Sequence, residues 1–306
     1  MKIGILCPIG PLDRFGYQYN TLPILRSLTT FGTKVYLCSS TRNRAQIDTI
    51  LETFPNVEYI AGPETWFAQD EHGDEMHEIF QITRNVTRMM EHARRDGMDV
   101  GISIHISQYV QDGAMDPLRG VAQRMLDDGR PYDWLYKKYQ LHDRLFHADV
   151  RVPWIVNLRI DNPYTFSPDS LAQRDTGETV RIESADFRAH DDVAIVDCPM
   201  ERTPQDLVDF KEFTRFYAEL NPNAPTGFDW DYIREYYVRK FNVKHISDEP
   251  LDPTGRAIAA ASRPDFVSHL LLDRYQPPAP APAAPPAHPA RRAVRRLRRL
   301  LRQRIP

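Results

Sequence analysis

The chain has few cysteines and no long apolar run. Cys7, Cys38 and Cys198 are too few, and odd in number, for a disulfide framework, so we predict reduced and buried thiols. No stretch approaches the roughly 20 apolar residues needed to span a bilayer, and the apolar run near the amino end is too short for a secretory signal. We therefore expect a cytoplasmic protein.

Three signatures of common enzyme classes are also missing. The sequence has no Gly-x-Gly-x-x-Gly, no Walker lysine loop and no Gly-x-Ser-x-Gly elbow. Their absence argues against a dinucleotide dehydrogenase, a P-loop nucleoside triphosphatase and an α/β-hydrolase. The densest acidic and histidine cluster, residues 70–77, lacks a helical pair of histidines. We interpret it as an exposed acidic loop, or as a lid over a bound donor, rather than a metal site.

Charge is distributed unevenly along the chain. The formal net charge is only −3, but residues 290–306 hold eight Arg and no acidic residue, which leaves 31 Lys and Arg against 42 Asp and Glu in residues 1–289. Seven of the 14 residues from 276 to 289 are proline. The composition predicts a folded body over residues 1–275, an extended Pro/Ala spacer over 276–289 that reaches about 40 Å, and a basic segment over 290–306.

The basic segment has the pattern of an amphipathic helix. Five apolar residues form a narrow stripe among its arginines: Val294, Leu297, Leu300, Leu301 and Ile305. Such a helix favours the interface of an anionic membrane. Arg density alone would also suit nucleic acid, but the leucines would then have no role, so we expect a membrane surface and no nucleic acid.

Short strands alternate with amphipathic helices in the first hundred residues. The predicted strands are Ile3–Cys7, Lys34–Cys38 and Val57–Ile60, and a helix precedes each of the last two. In a fourth unit, Val86, Met89, Met90 and Ala93 make one apolar stripe, Gly97 ends the helix, and apolar residues alternate from Val100 to Ile106. This order predicts an α/β fold with a mostly parallel sheet and helices on both faces.

The second half has less regular alternation. We predict a helix within residues 112–133, strands at Trp154–Ile160 and Val193–Val196, a helix capped by Thr203, and a last helix near 232–241. Lys137 and Lys138 either contact a phosphate or acceptor or lie on a solvated helix face.

Three segments of the body resemble the GT-A class of Rossmann-like, nucleotide-sugar glycosyltransferases over roughly residues 1–245. They are ILCPIG from Ile5, VYLCSST from Val35, and RNVTRMMEHARRDGMDVGISIH from Arg84. The last segment is similar to that family's order of Asn, helix, Gly-x-Asp and strand before its metal motif. The resemblance implies a Rossmann-like GT-A sheet and sugar transfer from a nucleotide-sugar donor.

The resemblance also implies donor-binding residues. The loops after the first two strands would hold the nucleotide base and ribose, and they correspond here to Cys7, Pro8, Ser39, Ser40 and Thr41. The Asn before the helix and the end of the fourth strand would face the diphosphate and sugar. These positions correspond here to Arg84, Asn85, His105 and Ser107.

The sequence departs from that family at the metal motif. His105-Ile106-Ser107 stands where the family has Asp-x-Asp, and Mg²⁺ or Mn²⁺ prefers carboxylate ligands. Three explanations remain open: cationic side chains such as Arg84, Arg42 or Arg44 neutralise the diphosphate, the site has lost its activity, or the strand is aligned wrongly. A divalent metal therefore stays an open prediction.

An inverting transfer needs a carboxylate that accepts the proton of the acceptor hydroxyl. Asp191 and Asp192, before the Val193 strand, are the first candidates, and Asp229 and Asp231 are the second. Acidic pairs in loops are also common as solvated helix caps.

These observations predict a glycosyltransferase that moves a sugar from a nucleotide-sugar to a glycan or lipid-linked acceptor. The tail would hold it as a peripheral protein on the cytoplasmic membrane face. The missing acidic motif leaves a second hypothesis, a non-catalytic GT-A-like binding or assembly protein recruited to the membrane.

Overall fold

The structure is a computed structural model that describes residues 1–9, 12, 16–39, 44–61, 78–162, 164–167, 170–173, 179–180, 188–213, 245–247 and 249–274. All of these lie in one compact unit, Met1–Tyr275. The acidic cluster 70–77, the helix predicted near 232–241 and the tail 276–306 lie outside the described residues. Within the described residues, no helix has the length and apolar content to cross a bilayer.

The described strands and helices follow one another in a regular order along the first half of the chain. The strands are β1 (Ile3–Pro8), β2 (Lys34–Ser39), β3 (Val57–Ala61), β4 (Val100–Ser103), β5 (Gln108–Tyr109), β6 (Tyr132–Leu141), β7 (Arg144–Asn157), β8 (Tyr164–Ser167), β9 (Ser170–Gln173), β10 (Thr179–Val180), β11 (Arg188–Asp197) and β12 (His245–Ser247). The helices are α1 (Tyr17–Phe31), α2 (Arg44–Thr53), α3 (Glu78–Arg95), α4 (Met115–Asp127), α5 (Pro204–Phe213), α6 (Pro253–Ala261) and α7 (Val267–Arg274).

One large sheet organises the described residues. Its strand order is β3-β2-β1-β4-β7-β6-β11-β5, and β12 pairs with β7. The pairs β1–β2, β2–β3, β1–β4 and β6–β11 are parallel, whereas β7 is antiparallel to β4 and β6, and β5 to β11. Most strands therefore point the same way, and the predicted α/β fold is confirmed.

Apolar residues on both faces of the sheet are covered by helices. Ile5 of β1 lies in a core that includes Leu25 of α1, with further residues from α2 and α4. The next residue, Leu6, lies in a second core with Val86 of α3. Successive side chains of a strand point to opposite faces, so β1 contributes to both cores.

Gly97 ends α3 as predicted. Its φ is +69°, and its N–H donates to the Arg94 carbonyl at 3.0 Å while the Met98 N–H donates to the Ala93 carbonyl at 2.9 Å. These two bonds form a Schellman motif, in which glycine adopts the left-handed conformation at low cost. The chain then enters β4 directly.

The start of α3 is a correction to the sequence prediction. The helix begins at Glu78, so Asn85 lies inside it and does not precede it. The reason is that the apolar spacing continues upstream, with Ile79 and Ile82 preceding Val86 by seven and four residues.

Two predicted strands in this region also have different bounds. The alternating run after Val100 is not one strand, because β4 ends at Ser103 and β5 pairs with β11 instead of continuing the β1–β4 ladder. The strand predicted at Trp154–Ile160 is the end of β7, which stops at Asn157, where the Asn157 side chain accepts the Arg159 N–H at 3.0 Å. The helix predicted within residues 112–133 is α4, which ends earlier.

The capped start of α5 is confirmed. Thr203 Oγ1 accepts the Asp206 N–H at 3.0 Å, and Asp206 Oδ2 accepts the Thr203 N–H at 2.9 Å. This reciprocal pair is a capping box built with Asp, and it fixes the residue at which α5 begins.

Candidate functional site

The order of the strands creates a crevice between β1 and β4. The chain leaves β1 toward β2 on one side, whereas β4 lies on the other side of β1, parallel to it. Open α/β sheets bind ligands at such a topological switch point, outside the carboxyl ends of the strands. Leu6 pairs with Ser103, so Pro8 and His105 each follow the last pair by two residues. The two predicted donor positions therefore lie at the same edge.

The remaining positions after β1 and β2 are described in part. Cys7 is fully buried in the core and free of a disulfide, as predicted, and burial raises the pKa of its thiol. Its side chain faces helices, so a ligand at the edge would meet its backbone. Ser39 is the last residue of β2, although its side chain lies outside the described residues, as do Ser40 and Thr41.

The two α3 positions differ in what the structure describes. Arg84 is placed by its backbone within the helix. Asn85 is half-buried, and its Oδ1 accepts no hydrogen bond among the described residues. This amide oxygen is itself buried and unsatisfied.

A tight turn joins β4 to β5 and carries both His105 and Ser107. The Gln108 N–H donates to the His105 carbonyl at 2.8 Å, and the Gln108 side-chain Oε1 accepts the His105 N–H at 2.9 Å. The backbone on either side of Ile106 is thus fixed by one residue. His105 and Ser107 are each half-buried, while Gln108 is buried.

A buried carboxylate holds this turn from the neighbouring strand. Asp197, the last residue of β11, accepts from Ser107 Oγ at 3.1 Å through Oδ1 and from Gln108 Nε2 at 3.2 Å through Oδ2. The next residue, Cys198, donates its N–H to the Ser107 carbonyl at 2.9 Å. The end of β11 is therefore bonded to the turn through the Asp197 side chain and the Cys198 backbone.

Lys137 of β6 neutralises this carboxylate. Its Nζ lies 2.8 Å from Asp197 Oδ2, and both side chains are 7% exposed. Lys137 also lies over the Tyr139 ring, 5.5 Å from its centroid. The prediction that Lys137 and Lys138 either contact a phosphate or lie on a helix face is wrong about the helix, because β6 is a strand whose alternating aromatic residues favour β structure.

The predicted catalytic pair lies further back on β11. Asp191 and Asp192 lie in an irregular part of β11, where the step from His190 to Ala194 spans a single residue step of β6, from Leu135 to Tyr136. Those two β6 residues lie four and three positions before Tyr139, the partner of Asp197, so this segment lies roughly 10–13 Å back from the carboxyl edge at about 3.3 Å per residue. Their side chains lie outside the described residues, as do Asp229 and Asp231 entirely.

The residues at the turn do not fit a divalent cation. Mg²⁺ and Mn²⁺ need oxygen ligands with free lone pairs, preferably carboxylates. The carboxylate nearest the turn already accepts two hydrogen bonds and pairs with Lys137, and the Ser107 hydroxyl donates to it. Across the described part of the chain, no group of three or more His, Cys, Asp or Glu is arranged to hold a metal ion.

Sequence reasoning missed Asp197 and the role of Lys137. One signal was available for Asp197, because it directly follows the predicted strand Val193–Val196. No local signal pairs it with Lys137, since the two residues are brought together by the parallel β6–β11 pairing.

Comparison with known proteins finds structural neighbours, all of them distant, and no sequence match. No protein-family model matches the chain, and no curated protein matches its sequence. The structure is similar to Staphylococcus aureus TarS residues 1–349 in complex with UDP, at 12% identity, a TM-score of 0.40, and coverage of 78% of this chain and 72% of that one. The chain spans 44% of a longer TarS structure.

Two other neighbours have different activities in their names. A cytidylyltransferase from Leptospira borgpetersenii is 13% identical with a TM-score of 0.31, over 52% of this chain and 61% of that one. A mannose-1-phosphate geranyltransferase from Thermus thermophilus is 10% identical with a TM-score of 0.29, over 74% and 66%. Likeness at this level identifies neither a family nor an activity, so the fold rests on the strand order and the function on the site.

Proposed function

We propose that the chain is a GT-A-like glycosyltransferase that binds a nucleotide-sugar at the edge between β1 and β4. The observation that carries the proposal is the polar turn His105 to Gln108, fixed at the topological switch point of the sheet. A preorganised polar edge at this position suits a ligand with a base, a ribose and a diphosphate.

The donor would lie across the ends of three neighbouring strands. Pro8, Ser39, Ser40 and Thr41 follow β1 and β2, and these positions, with the Cys7 backbone, would contact the base and ribose. Asn85 with Arg84 would face the diphosphate, and the His105 to Ser107 turn would face the donor sugar.

The transfer step would use Asp191 or Asp192 as the base that accepts the proton of the acceptor hydroxyl. The test is to replace each by Asn and measure sugar transfer and nucleotide binding separately. Loss of the base should reduce the transfer rate by about 10²–10⁴-fold and leave donor binding intact. Asp143→Asn is the control, since Asp143 is an exposed residue paired with Arg144 at 3.3 Å. Unchanged transfer in both test variants would remove this pair from catalysis.

A thermal-shift panel of UDP, GDP, CMP and dTDP sugars tests the donor site on the full chain. A ligand that binds the native state alone raises the melting temperature by mass action. A shift with one nucleotide class is expected. No shift with any of them would contradict the proposal.

A non-catalytic binding protein is the second candidate. The observation that favours it is the pairing of Asp197, the carboxylate bonded to the turn, with Lys137. Nucleotide-sugar binding without hydrolysis or transfer to any glycan or lipid-linked acceptor would support this candidate.

We also propose that residues 290–306 recruit the protein to an anionic membrane surface, where a lipid-linked or membrane-bound glycan acceptor would be concentrated. The support is the sequence pattern, eight Arg around a narrow apolar stripe. No nucleic acid partner is proposed.

A further inference from the structure

We infer that Lys137 takes the position of a divalent cation at this site, so that the protein binds its nucleoside diphosphate without Mg²⁺ or Mn²⁺. The inference rests on the proposed function. It concerns the 105–108 turn, the place where the GT-A resemblance puts an acidic metal motif, and it assigns Lys137 and Asp197 as positioning residues.

The first step is that the turn is already organised from within. Gln108 holds the His105 N–H at 2.9 Å, and Asp197 in turn holds Ser107 and Gln108 at 3.1 and 3.2 Å. Each link is a hydrogen bond between buried or half-buried groups, where such bonds are strong. No external ion is needed to give the turn its shape.

The second step is the charge of the supporting carboxylate. Asp197 is buried, and a buried carboxylate needs a compensating positive charge. A bound metal ion would provide it at an acidic motif, whereas here Lys137 Nζ provides it at 2.8 Å. An ammonium group and a divalent ion cannot occupy the same side of one carboxylate, so the two arrangements exclude each other.

The third step is the direction of the Ser107 hydroxyl. It donates to Asp197 Oδ1, so its proton is committed to the protein and its oxygen can only accept a hydrogen bond, as from a hydroxyl of the donor sugar. The His105 ring, half-exposed like Ser107, follows β4 at the same edge. The hydroxyl that would need an ion as intermediary to a diphosphate therefore faces the sugar in this proposal, and the charge of Asp197 is balanced by Lys137.

The direct test uses the full chain and titrates UDP, GDP, CDP and dTDP in millimolar MnCl₂ and in EDTA. The expected result is that the nucleotide which binds has the same dissociation constant in both. An affinity about tenfold or more weaker in EDTA would overturn the inference and leave the proposed function standing. Absence of binding under both conditions would overturn the proposed function and the inference with it.

Lys137→Met supplies a second test. Without the ammonium group, Asp197 becomes an uncompensated carboxylate beside the turn, so nucleotide binding in EDTA should weaken by about tenfold or more and Mn²⁺ should restore part of it. Lys138→Met is the matched control, because Lys138 pairs with the exposed Glu249 at 2.7 Å and should bind as the unchanged chain does. A weakening that Mn²⁺ does not restore indicates a purely structural pair and contradicts the inference. If Lys137→Met does not fold, the EDTA comparison on the unchanged chain decides.

Discussion

Two adjacent lysines of β6 differ in their surroundings and should differ in their effect on stability. Lys137 pairs with a buried carboxylate, whereas Lys138 pairs with a half-exposed one. Removal of one partner of a buried ion pair leaves an uncompensated charge, which costs about 3–5 kcal/mol, while surface pairs contribute about 1 kcal/mol or less.

We therefore expect Lys137→Met to lower the free energy of unfolding by about 3–5 kcal/mol and Lys138→Met to lower it by at most about 1 kcal/mol. Urea denaturation of the two variants and the unchanged chain measures both values. Equal losses in the two variants would show that the Lys137 pair is not buried as described.

At the scale of elements, Gly97 and Gly113 allow the cost of a left-handed backbone to be measured separately from the cost of a steric clash. Gly97 has a φ of +69°, and a Cβ added there would meet nothing within 4 Å. Gly113 has equally open surroundings but an ordinary φ. A difference between their alanine variants therefore isolates the left-handed conformation.

Gly97→Ala should destabilise the protein by about 1–2 kcal/mol, because a Cβ in the left-handed region approaches the following carbonyl. Gly113→Ala should be neutral or slightly stabilising, because the added methyl group reduces the conformational entropy of the unfolded chain and strains nothing in the folded one. The measurement is thermal unfolding of both variants. A neutral Gly97→Ala would mean that α3 can end without the Schellman motif.

A charged network joins three elements at the opposite edge of the sheet. Lys34 of β2 contacts Glu58 of β3 and, at 2.5 Å, Asp96 at the end of α3; Tyr36 donates to Asp96 at 2.8 Å, and His92 contacts Glu58 at 2.9 Å. Hydrogen bonds from Lys34 and Tyr36 lower the pKa of Asp96. Partial burial alone would raise the pKa of Glu58, but its bonds with Lys34 and His92 outweigh it and lower that pKa.

This network makes stability depend on pH. Partial burial alone would lower the pKa of Lys34, but its bonds with Asp96 and Glu58 raise it. The carboxylates stabilise the fold above their ordinary pKa values of 3.8 and 4.5, and that contribution is lost as the pH falls through their lowered values. The lysine stabilises below its ordinary pKa of 10.5, and its contribution is lost as the pH rises through the raised value.

Lys34→Met should therefore cost a constant amount between roughly pH 5 and 10, on the order of 0.2–1 kcal/mol per half-exposed pair, and progressively less in stronger acid. Urea denaturation from pH 10 down to roughly pH 3, below the ordinary carboxyl pKa values, measures the difference, with the unchanged chain as reference. A cost that does not shrink in acid would contradict an ionic origin.

The first half of the fold could be predicted from local sequence because each element has its own signal. The short apolar runs of β1 to β3, the apolar stripe of α3 and the Gly97 turn are all readable within about ten residues. The break between β4 and β5 could not be predicted, since Ile104 and Ile106 continue the alternation and the bond from Gln108 to His105 decides the turn.

The candidate site, too, has one part that local sequence predicts and one part that it does not. Its edge position follows from where strands end, which sequence patterns indicate for His105 and Ser107. The pairing of Asp197 with Lys137 follows from the parallel contact of two strands that are separated by some 50 residues, and a pattern within one segment contains no information about it.

At the scale of the whole molecule, the body and the tail should act independently. The chain cut after Tyr275 retains the compact unit Met1–Tyr275, so we expect it to keep the melting temperature of the full chain. It should no longer pellet with vesicles that contain anionic lipid, because the eight Arg of residues 290–306 are removed. Equal pelleting of both forms would remove the membrane proposal, and vesicles of neutral lipid are the control.

The last described segment of the body bonds to residues made much earlier. Asp252 accepts the Asp112 N–H at 3.0 Å across 140 residues, Gln140 donates to the Gly255 carbonyl at 2.9 Å, and Glu201 accepts from Ser262 at 2.5 Å. During synthesis on a ribosome, Gln140 and Glu201 therefore leave the exit tunnel before these partners exist. The nascent chain must keep the polar edge of β6 in water until residues 249–274 emerge, so the final assembly of the body is set by translation of its end.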